Sequence, residues 1–355
     1  MSKLLELLST LSVAGSTVVI CILLLRLIPL NISTKWRYVL GKLAVWFYIL
    51  PVALLFQWFP LPFTTKPIIT NSVSGLPSTI SAELAVILIS LWGIGAASYF
   101  TWQIYCYRRF IKSLQRTRIP VLENSEAAIK LLSMKQALDI QNNVEMAYSS
   151  AIRSPILVGL WKSTIFLPID NTINVDLNMI MHHELIHLKR RDLWVKALSL
   201  GASSLHWFNP LVHVLRKDIH IWSELSCDEE VVKEMSYAER KRYGQTILNV
   251  MAGSKGLPVR FCTSLSGDGK QLKRRLNMML NVKKLKKKTI LSTSFAVIIV
   301  GTIGLSSAVW ASINAPDVEI DTKLAKIRNG VTIKSEGVKE GNLNDHRHEI
   351  KHLKP

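Results

Sequence analysis

Cysteine is scarce in this chain of 355 residues, which contains only Cys21, Cys106, Cys227 and Cys262. The four form no CxxC pair and share no regular spacing. Disulfide frameworks of secreted proteins and cysteine-based zinc sites both need closely paired cysteines. The sequence therefore argues against both, and we expect any metal site to depend on other side chains.

Charge is absent from long parts of the chain, which is 49% hydrophobic and has a mean hydropathy of +0.24. Four stretches without Asp, Glu, Lys or Arg approach or exceed the ~20 residues that cross a bilayer. They are Leu7–Leu25, Leu43–Thr65, Leu84–Tyr107 and Thr289–Pro316. The first could be a signal peptide, but Arg26 and Pro29 follow it instead of a small-residue cleavage site. We therefore interpret it as a retained helix and predict four transmembrane helices.

Acidic residues are also few, 25 against 44 Lys and Arg, which gives a net charge of +19. The basic residues cluster in residues 26–42, 108–118 and 283–288, whereas the loop between spans two and three contains only Lys66. The positive-inside rule then predicts a cytoplasmic segment 108–288 and both termini outside the cell. Basic residues that flank membrane spans contact lipid headgroups on the cytoplasmic side, and these residues account for much of the net positive charge. The charge therefore does not require a direct nucleic-acid partner.

The predicted organisation has four parts. Residues 1–107 contain three transmembrane helices (7–25, 43–65 and 84–107), and residues 108–288 form a cytoplasmic domain. A fourth transmembrane helix over 289–312 precedes a short polar tail, 313–355. A fifth uncharged stretch, Ala197–Leu215, is rich in polar side chains. We interpret it as a buried or interfacial helix broken at Asn209-Pro210.

The sequence pattern of the cytoplasmic segment predicts a small sheet followed by helices. Residues 144–150 and 155–167 are typical of short strands, with a turn near Gly159 to Ser163. Asp176 is a candidate N-cap for a helix over Leu177–Arg191.

An HExxH motif lies on this predicted helix as His183, Glu184 and His187. Residues four apart share a helix face, so both histidines can direct a ring nitrogen at one metal ion. Glu184 would reach a water rather than the metal, and zinc lowers the pKa of such a water to ~7. The motif therefore predicts a zinc site with Glu184 as catalytic base. HExxH alone is only moderately specific.

A catalytic zinc usually has a third protein ligand, and a second helical pattern opens with the string ELSCDE, 37 residues after His187. Glu224 is the candidate ligand, and Asp228, on the same face, would orient a histidine. The alternative is an acidic first turn favoured by the helix dipole. Cys227 points off that face and is interpreted as a small buried residue. His182, His206, His213 and His220 are interpreted as packing or interfacial residues.

These motifs together resemble the BlaR/MecR family of bacterial sensor-transducer membrane zinc metallopeptidases. The resemblance covers residues 1 to about 312. It is carried by the four spans and by the strings HHELIHLKRRD, LHWFNPLV, ELSCDE and SPILVGLWKSTIFLP. It implies four transmembrane helices and a cytoplasmic, mainly α, gluzincin-like domain (HExxH followed by Glu) with a small β-sheet. By resemblance, His183, His187 and Glu224 bind one zinc ion and Glu184 is the base.

The family also implies a role in signal transduction. An extracellular signal, such as an antibiotic or a cell-envelope change, would lead to proteolytic loss of a winged-helix repressor and induction of antibiotic resistance genes. Relatives that sense β-lactams carry a penicillin-binding domain after the last span, whereas Asp317–Pro355 is 39 residues long and has no SxxK motif. We therefore expect either that the signal comes through a partner or another ligand, or that the chain is a shortened relative. Homodimer formation stays open.

Two other functions compete with this one: a non-proteolytic membrane signalling or scaffold protein, and a housekeeping protease of the CAAX-processing or heat-shock type. A catalytic carboxylate at Glu184 favours an enzyme over a scaffold. Self-cleavage is a further hypothesis, with Arg274-Arg275 as the candidate bond. Its alternative is a basic cytoplasmic surface near lipid headgroups.

Overall fold

A computed structural model describes residues 2–27, 33–51, 80–122, 124–169, 176–253, 269–281, 287–315 and 318–319. The helices in these segments are α1 (Ser2–Leu25), α2 (Thr34–Ile49), α3 (Ala82–Arg116), α4 (Glu126–Ala137), α5 (Leu177–Lys189), α6 (Asp192–Leu205), α7 (Pro210–Val231), α8 (Tyr237–Gly253), α9 (Gly269–Leu280) and α10 (Lys287–Ile313). The strands are β1 (Ile80–Ser81), β2 (Ile119–Pro120), β3 (Val144–Ser149), β4 (Ile156–Val158), β5 (Ser163–Pro168) and β6 (Val318–Glu319).

Three helices of the described segments are long and apolar enough to cross a membrane, namely Lys3–Leu25, Ala82–Arg116 and Thr289–Ile313. They coincide with the first, third and fourth predicted spans. Of the predicted span 43–65, only the beginning is described, at the end of α2, and residues 52–65 lie outside the described segments. The total of four spans therefore stays a prediction.

Helix α2 begins well before the apolar run that predicts a span. It starts at Thr34, where the Ser33 side chain caps the backbone, nine residues ahead of Leu43. Its buried residues extend from Tyr38 to Tyr48 and share one apolar core with residues of α1, α6, α7 and α10. Sequence alone predicts a division between membrane helices and protease domain at residue 107, but the packing is continuous across these helices.

The uncharged stretch 197–215 folds as a helical hairpin. Helix α6 ends at Leu205, and α7 begins at Pro210 with Asn209 as its N-cap, so the break lies at the predicted Asn209-Pro210. A proline at the first helical position needs no backbone N–H partner, and an asparagine cap accepts a hydrogen bond from the first turn. The turn positions α6 and α7 side by side.

Asn209, at the tip of this hairpin, is buried and bonded to a candidate span. Asn209 Nδ2 donates to Ser12 Oγ at 3.0 Å and to Ser16 Oγ at 2.8 Å, both on α1. From α3, Trp92 Nε1 donates to the carbonyl of Leu205 at 2.8 Å. These contacts give buried polar groups a partner, as an apolar environment requires.

Beside the helices lies a four-stranded sheet with the strand order β2-β3-β5-β4. Strands β3 and β5 are parallel, and β4 is antiparallel to β5 across a turn in which Gly159 has a φ of +97°. The turn that the sequence predicts near Gly159 to Ser163 is therefore confirmed, and it divides residues 155–167 into two strands. One face of the sheet packs against Met181, Leu185 and Leu188 of α5. Because Ile186 packs instead against residues of α7 and α8, α5 lies between the sheet and those two helices.

Candidate metal centre

Helix α5 brings the two motif histidines to one buried point. Asp176 caps the helix by accepting from the backbone N–H groups of Asn178 and Met179, as the sequence predicts. The side chains of His183 and His187 are almost fully buried. Their Nε2 atoms lie 3.2 Å apart. The i, i+4 spacing therefore produces two converging ring nitrogens.

Glu224 of α7 completes the group. Its Oε2 lies 3.6 Å from His183 Nε2, and its Oε1 lies 3.5 Å from His187 Nε2. Burial acts to raise the pKa of Glu224, but His187 and Lys196 outweigh it and hold the pKa well below its ordinary value. Because α7 begins at Pro210, Glu224 lies deep in a helix of 22 residues. The alternative of an acidic first turn for ELSCDE is therefore wrong.

His187 is oriented by a carboxylate that sequence reasoning missed. Arg191, with a left-handed φ of 55°, makes a sharp connection between α5 and α6, so that Asp192 lies beside His187. His187 Nδ1 is 2.8 Å from Asp192 Oδ2. Ser223 Oγ donates to the same oxygen at 3.2 Å, and Tyr38 Oη donates to Oδ1 at 2.8 Å. Asp192 is fully buried, so its charge depends on these partners.

His183 is oriented by a different group. Its Nδ1 lies 2.8 Å from Tyr243 Oη, which in turn donates to Asp228 Oδ1 at 2.9 Å. Asp228 is also 3.4 Å from His183 Nδ1, so it lies where the sequence predicts an orienting carboxylate. The Arg275 guanidinium binds both oxygens of Asp228, with N–O distances of 2.6 and 2.8 Å. Burial acts to raise the pKa of Asp228, but Arg275 and His183 lower it to about 2.

These hydrogen bonds fix which ring nitrogen carries the proton. Asp192 can only accept, so the Nδ1 of His187 carries the hydrogen. The Tyr243 hydroxyl gives its hydrogen to Asp228 and therefore accepts from Nδ1 of His183. In the neutral imidazoles, both Nε2 atoms then present lone pairs to each other at 3.2 Å.

A divalent cation bound between the two nitrogens would resolve this repulsion. Tetrahedral zinc with bonds of ~2.0–2.1 Å to nitrogen places two ligand nitrogens about 3.3 Å apart. The distances among the Nε2 atoms and the Glu224 oxygens are 3.2, 3.5 and 3.6 Å. The side chains present therefore fit a metal ion bound by two imidazoles and one carboxylate.

Cys227 offers a second donor set. Potential ligand atoms of His183, His187 and Cys227 lie within 4.8 Å of one another. The Cys227 Sγ, however, lies 3.6 Å from His183 Nδ1 and 3.4 Å from the His183 carbonyl oxygen. That ring nitrogen already binds Tyr243, so we favour the set that includes Glu224.

Glu184 is buried beside the two histidines. Burial raises the pKa of its carboxyl group, and His183 and His187 oppose that rise. A carboxylate with a raised pKa suits the exchange of protons near neutral pH. Lys196 lies at the same site, with its Nζ 3.4 Å from Glu224 Oε1.

The remaining histidines have different surroundings. His206 and His213 make hydrogen bonds to backbone carbonyls in the hairpin region, which agrees with the packing role expected for them. His220, one turn before Glu224, has a pKa lowered to about 4, first of all by burial. His182 has its pKa lowered by burial and by the neighbouring His183.

The candidate cleavage bond Arg274-Arg275 lies in the middle of α9. Arg275 is buried in its ion pair with Asp228. Arg274 lies over the Trp222 ring, 4.5 Å from its centroid. Peptides bound by main-chain pairing are extended, so cleavage at this bond requires α9 to unwind first. In this conformation Arg275 belongs to the surroundings of the metal centre.

Comparison with known families decides the relationship. A model of the BlaR1 peptidase M56 family matches residues 6–279, which include most of α1, the hairpin and every residue of the candidate centre. The chain belongs to the BlaR1 peptidase M56 family. The resemblance seen in the sequence motifs is thus confirmed, and the coarse assignment of the chain as a membrane metallopeptidase follows from the family and the apolar helices.

Curated relatives of this M56 chain include regulatory proteins and a methicillin resistance protein. It is 26% identical over 226 residues to Regulatory protein BlaR1 of Bacillus licheniformis, covering 61% of this chain and 37% of the relative. It is 26% identical over 202 residues to the Methicillin resistance mecR1 protein of Staphylococcus aureus, covering 52% of this chain and 34% of the relative. It is 28% identical over 198 residues to Regulatory protein BlaR1 of S. aureus, and this match covers 53% of this chain and 32% of the relative. The matched part spans about a third of each relative's length.

Proposed function

We propose that this chain is a membrane-embedded zinc endopeptidase that relays an extracellular signal to the proteolytic inactivation of a cytoplasmic winged-helix repressor. The convergence of two Nε2 lone pairs and the Glu224 carboxylate at one buried point carries the proposal. Two histidines and a glutamate are a known ligand set of catalytic zinc, which keeps a further position open. The relatives are named as regulatory and methicillin resistance proteins, which supports a role in signalling.

The chemistry divides between the metal and the side chains around it. Zinc bound by His183, His187 and Glu224 would supply a Lewis acid and lower the pKa of water at the site. Glu184 accepts a proton from the water that attacks the peptide carbonyl carbon. It returns that proton to the amide nitrogen as the C–N bond breaks. A structural zinc site has no need of this buried carboxylate, which favours an enzyme over a scaffold protein.

Strand β4 is the proposed docking edge for the substrate. Among the described residues it lies at the end of the sheet order and pairs with β5 alone, and it contacts α5. An extended peptide can add to such an edge through main-chain hydrogen bonds. We therefore expect a flexible segment of the substrate, rather than a folded one, to reach the metal centre.

The proposed function is tested by replacing the base without disturbing the ligands. Glu184→Gln should retain bound metal and abolish proteolysis, because an amide accepts no proton at neutral pH. Newly formed protein N-termini should be compared by mass spectrometry in inducing cells that express the wild-type chain or this variant. A repressor fragment present only with the wild-type chain is expected. Identical sets of termini would reject the endopeptidase.

The orientation in the membrane is also a proposal, supported by the distribution of basic residues. Single cysteines should be introduced at Ser74, Ser133 and Ser335 in a chain whose own cysteines are replaced by serine. An impermeant thiol reagent added to intact cells should label positions 74 and 335 but not position 133. Lysed cells, in which all three become labelled, provide the control. Labelling of position 133 in intact cells would place the metal centre outside.

A further inference from the structure

A hydroxyl group from the second helix reaches the metal centre. Tyr38 lies on α2 and is almost fully buried, and its Oη donates to Asp192 Oδ1 at 2.8 Å. The other oxygen of Asp192 is 2.8 Å from Nδ1 of the candidate ligand His187. Tyr38 and His187 are therefore joined through one carboxylate, although 149 positions separate them in the sequence.

The partners of Asp192 determine how its carboxylate is rotated. Oδ2 is shared by His187 and Ser223, with Arg190 Nη2 3.4 Å away, whereas Tyr38 donates to Oδ1. A carboxylate with a directional donor at each oxygen has little freedom to turn. The direction of the His187 ring follows from the orientation of that carboxylate, because its Nδ1–H points at Oδ2.

Two cations lie close to the aromatic ring of Tyr38. Lys42 Nζ lies 4.2 Å and Arg190 Cζ lies 4.9 Å from the centroid of its ring. Cations over an aromatic face are attracted to it, most strongly where water is excluded. The ring therefore holds its hydroxyl against Asp192.

Helix α2 is bound to both ends of α6. At the first end is the Tyr38–Asp192 hydrogen bond. At the other end, Nε2 of His206 lies 3.0 Å from the carbonyl oxygen of Tyr48 and donates to it. The start of α2 also contacts α7, because Ser33 and Thr34 both donate to the Glu229 carboxylate. A shift of α2 along its axis would therefore change the environment of Asp192.

We infer that Tyr38 is a positioning residue for the metal centre, which acts through Asp192 to hold the His187 imidazole and so couples α2 to metal affinity. The inference rests on the proposed function, because it requires His187 to be a metal ligand. Removing an outer partner of a metal-binding histidine typically weakens metal binding ~10–100-fold.

The test compares two tyrosines of the same helix in the full-length chain purified in detergent. Tyr38→Phe removes only the hydroxyl that reaches Asp192. Tyr48→Phe is the matched control, because Tyr48 is also buried on α2 but its hydroxyl is 3.1 Å from Ser16 Oγ. Zinc affinity is measured by competition with a chelator. The visible absorption spectrum of the Co²⁺-substituted protein reports the ligand geometry.

Tyr38→Phe should weaken zinc binding by about 10-fold or more and shift the Co²⁺ bands, in line with the loss of an outer partner. Tyr48→Phe should leave both unchanged. Equal affinities and spectra for the two variants would overturn the inference. Ser223→Ala removes the other hydroxyl donor to Asp192 and serves if Tyr38→Phe does not fold. A smaller loss in the same direction is expected from it, and an unchanged affinity would count against Asp192 as the link.

One further variant separates this inference from the proposed function. His187→Ala should abolish zinc binding if His187 is a ligand. If it retains full zinc affinity, the ligand assignment has failed, and any effect of Tyr38 has another cause. If His187→Ala loses zinc while Tyr38→Phe keeps wild-type affinity, only the positioning role has failed.

Discussion

Glu224→Ala should remove most of the bound metal and all proteolytic activity. The substitution leaves two imidazoles, and loss of the carboxylate takes away the ligand whose oxygens lie 3.5 and 3.6 Å from their Nε2 atoms. Metal content per purified chain, measured by elemental analysis after dialysis, checks this result. His183→Ala and His187→Ala should behave in the same way.

Cys227→Ala is the matched control for the third ligand. Cys227 lies on the same helix, is fully buried, and belongs to the competing set of donors. Because its thiol faces the Nδ1 side of His183, its loss should leave the metal content close to one ion per chain. The opposite pattern, with metal lost from Cys227→Ala and kept by Glu224→Ala, would assign the third ligand to the thiol.

Arg275→Met should unfold the region around the metal centre more severely than its neighbour Arg274→Met. Arg275 is the buried cation that binds both oxygens of Asp228. Removing one partner of a buried ion pair leaves the other charge uncompensated, which costs about 3–5 kcal/mol. Arg274 is exposed and lies over the Trp222 ring, an arrangement that contributes about 0.5–1 kcal/mol.

Both variants keep an unbranched side chain on the same helix, so helix propensity does not separate them. The measurement is the free energy of unfolding in detergent, with zinc removed, from denaturant titration. Adding Asp228→Asn to Arg275→Met should recover part of the lost stability, because the unpaired charge disappears. Equal destabilisation by the two single variants would contradict the prediction that loss of the Arg275–Asp228 ion pair lowers the free energy of unfolding more than loss of the Arg274–Trp222 contact.

Local patterns predicted the parts of the centre that lie within one element. The HExxH spacing placed two histidines on one face, and Asp176 was identified as the cap of their helix. Asn209-Pro210 marked the break in an uncharged stretch that could have been mistaken for a span. The same signal could have placed the start of α7 at Pro210, which would have removed the first-turn alternative for Glu224.

Apart from Asp228, the partners that orient the histidines could not be predicted in this way. Tyr38 and Tyr243 each meet the centre through contacts between distant elements, and no periodicity in a single sequence encodes such pairs. Arg275 was interpreted as a surface or cleavage residue because a basic pair beside further lysines is typical of a solvated segment. Burial against Asp228 depends on the packing of α9 on α7, which charge patterning does not reveal.

X-ray absorption spectroscopy at the zinc edge of the purified wild-type chain tests the proposed centre most directly. Binding by His183, His187 and Glu224 should give only nitrogen and oxygen neighbours at about 2.0–2.2 Å, two of them imidazoles. A sulfur neighbour at about 2.3 Å, or a protein that binds no zinc at all, would contradict that ligand set.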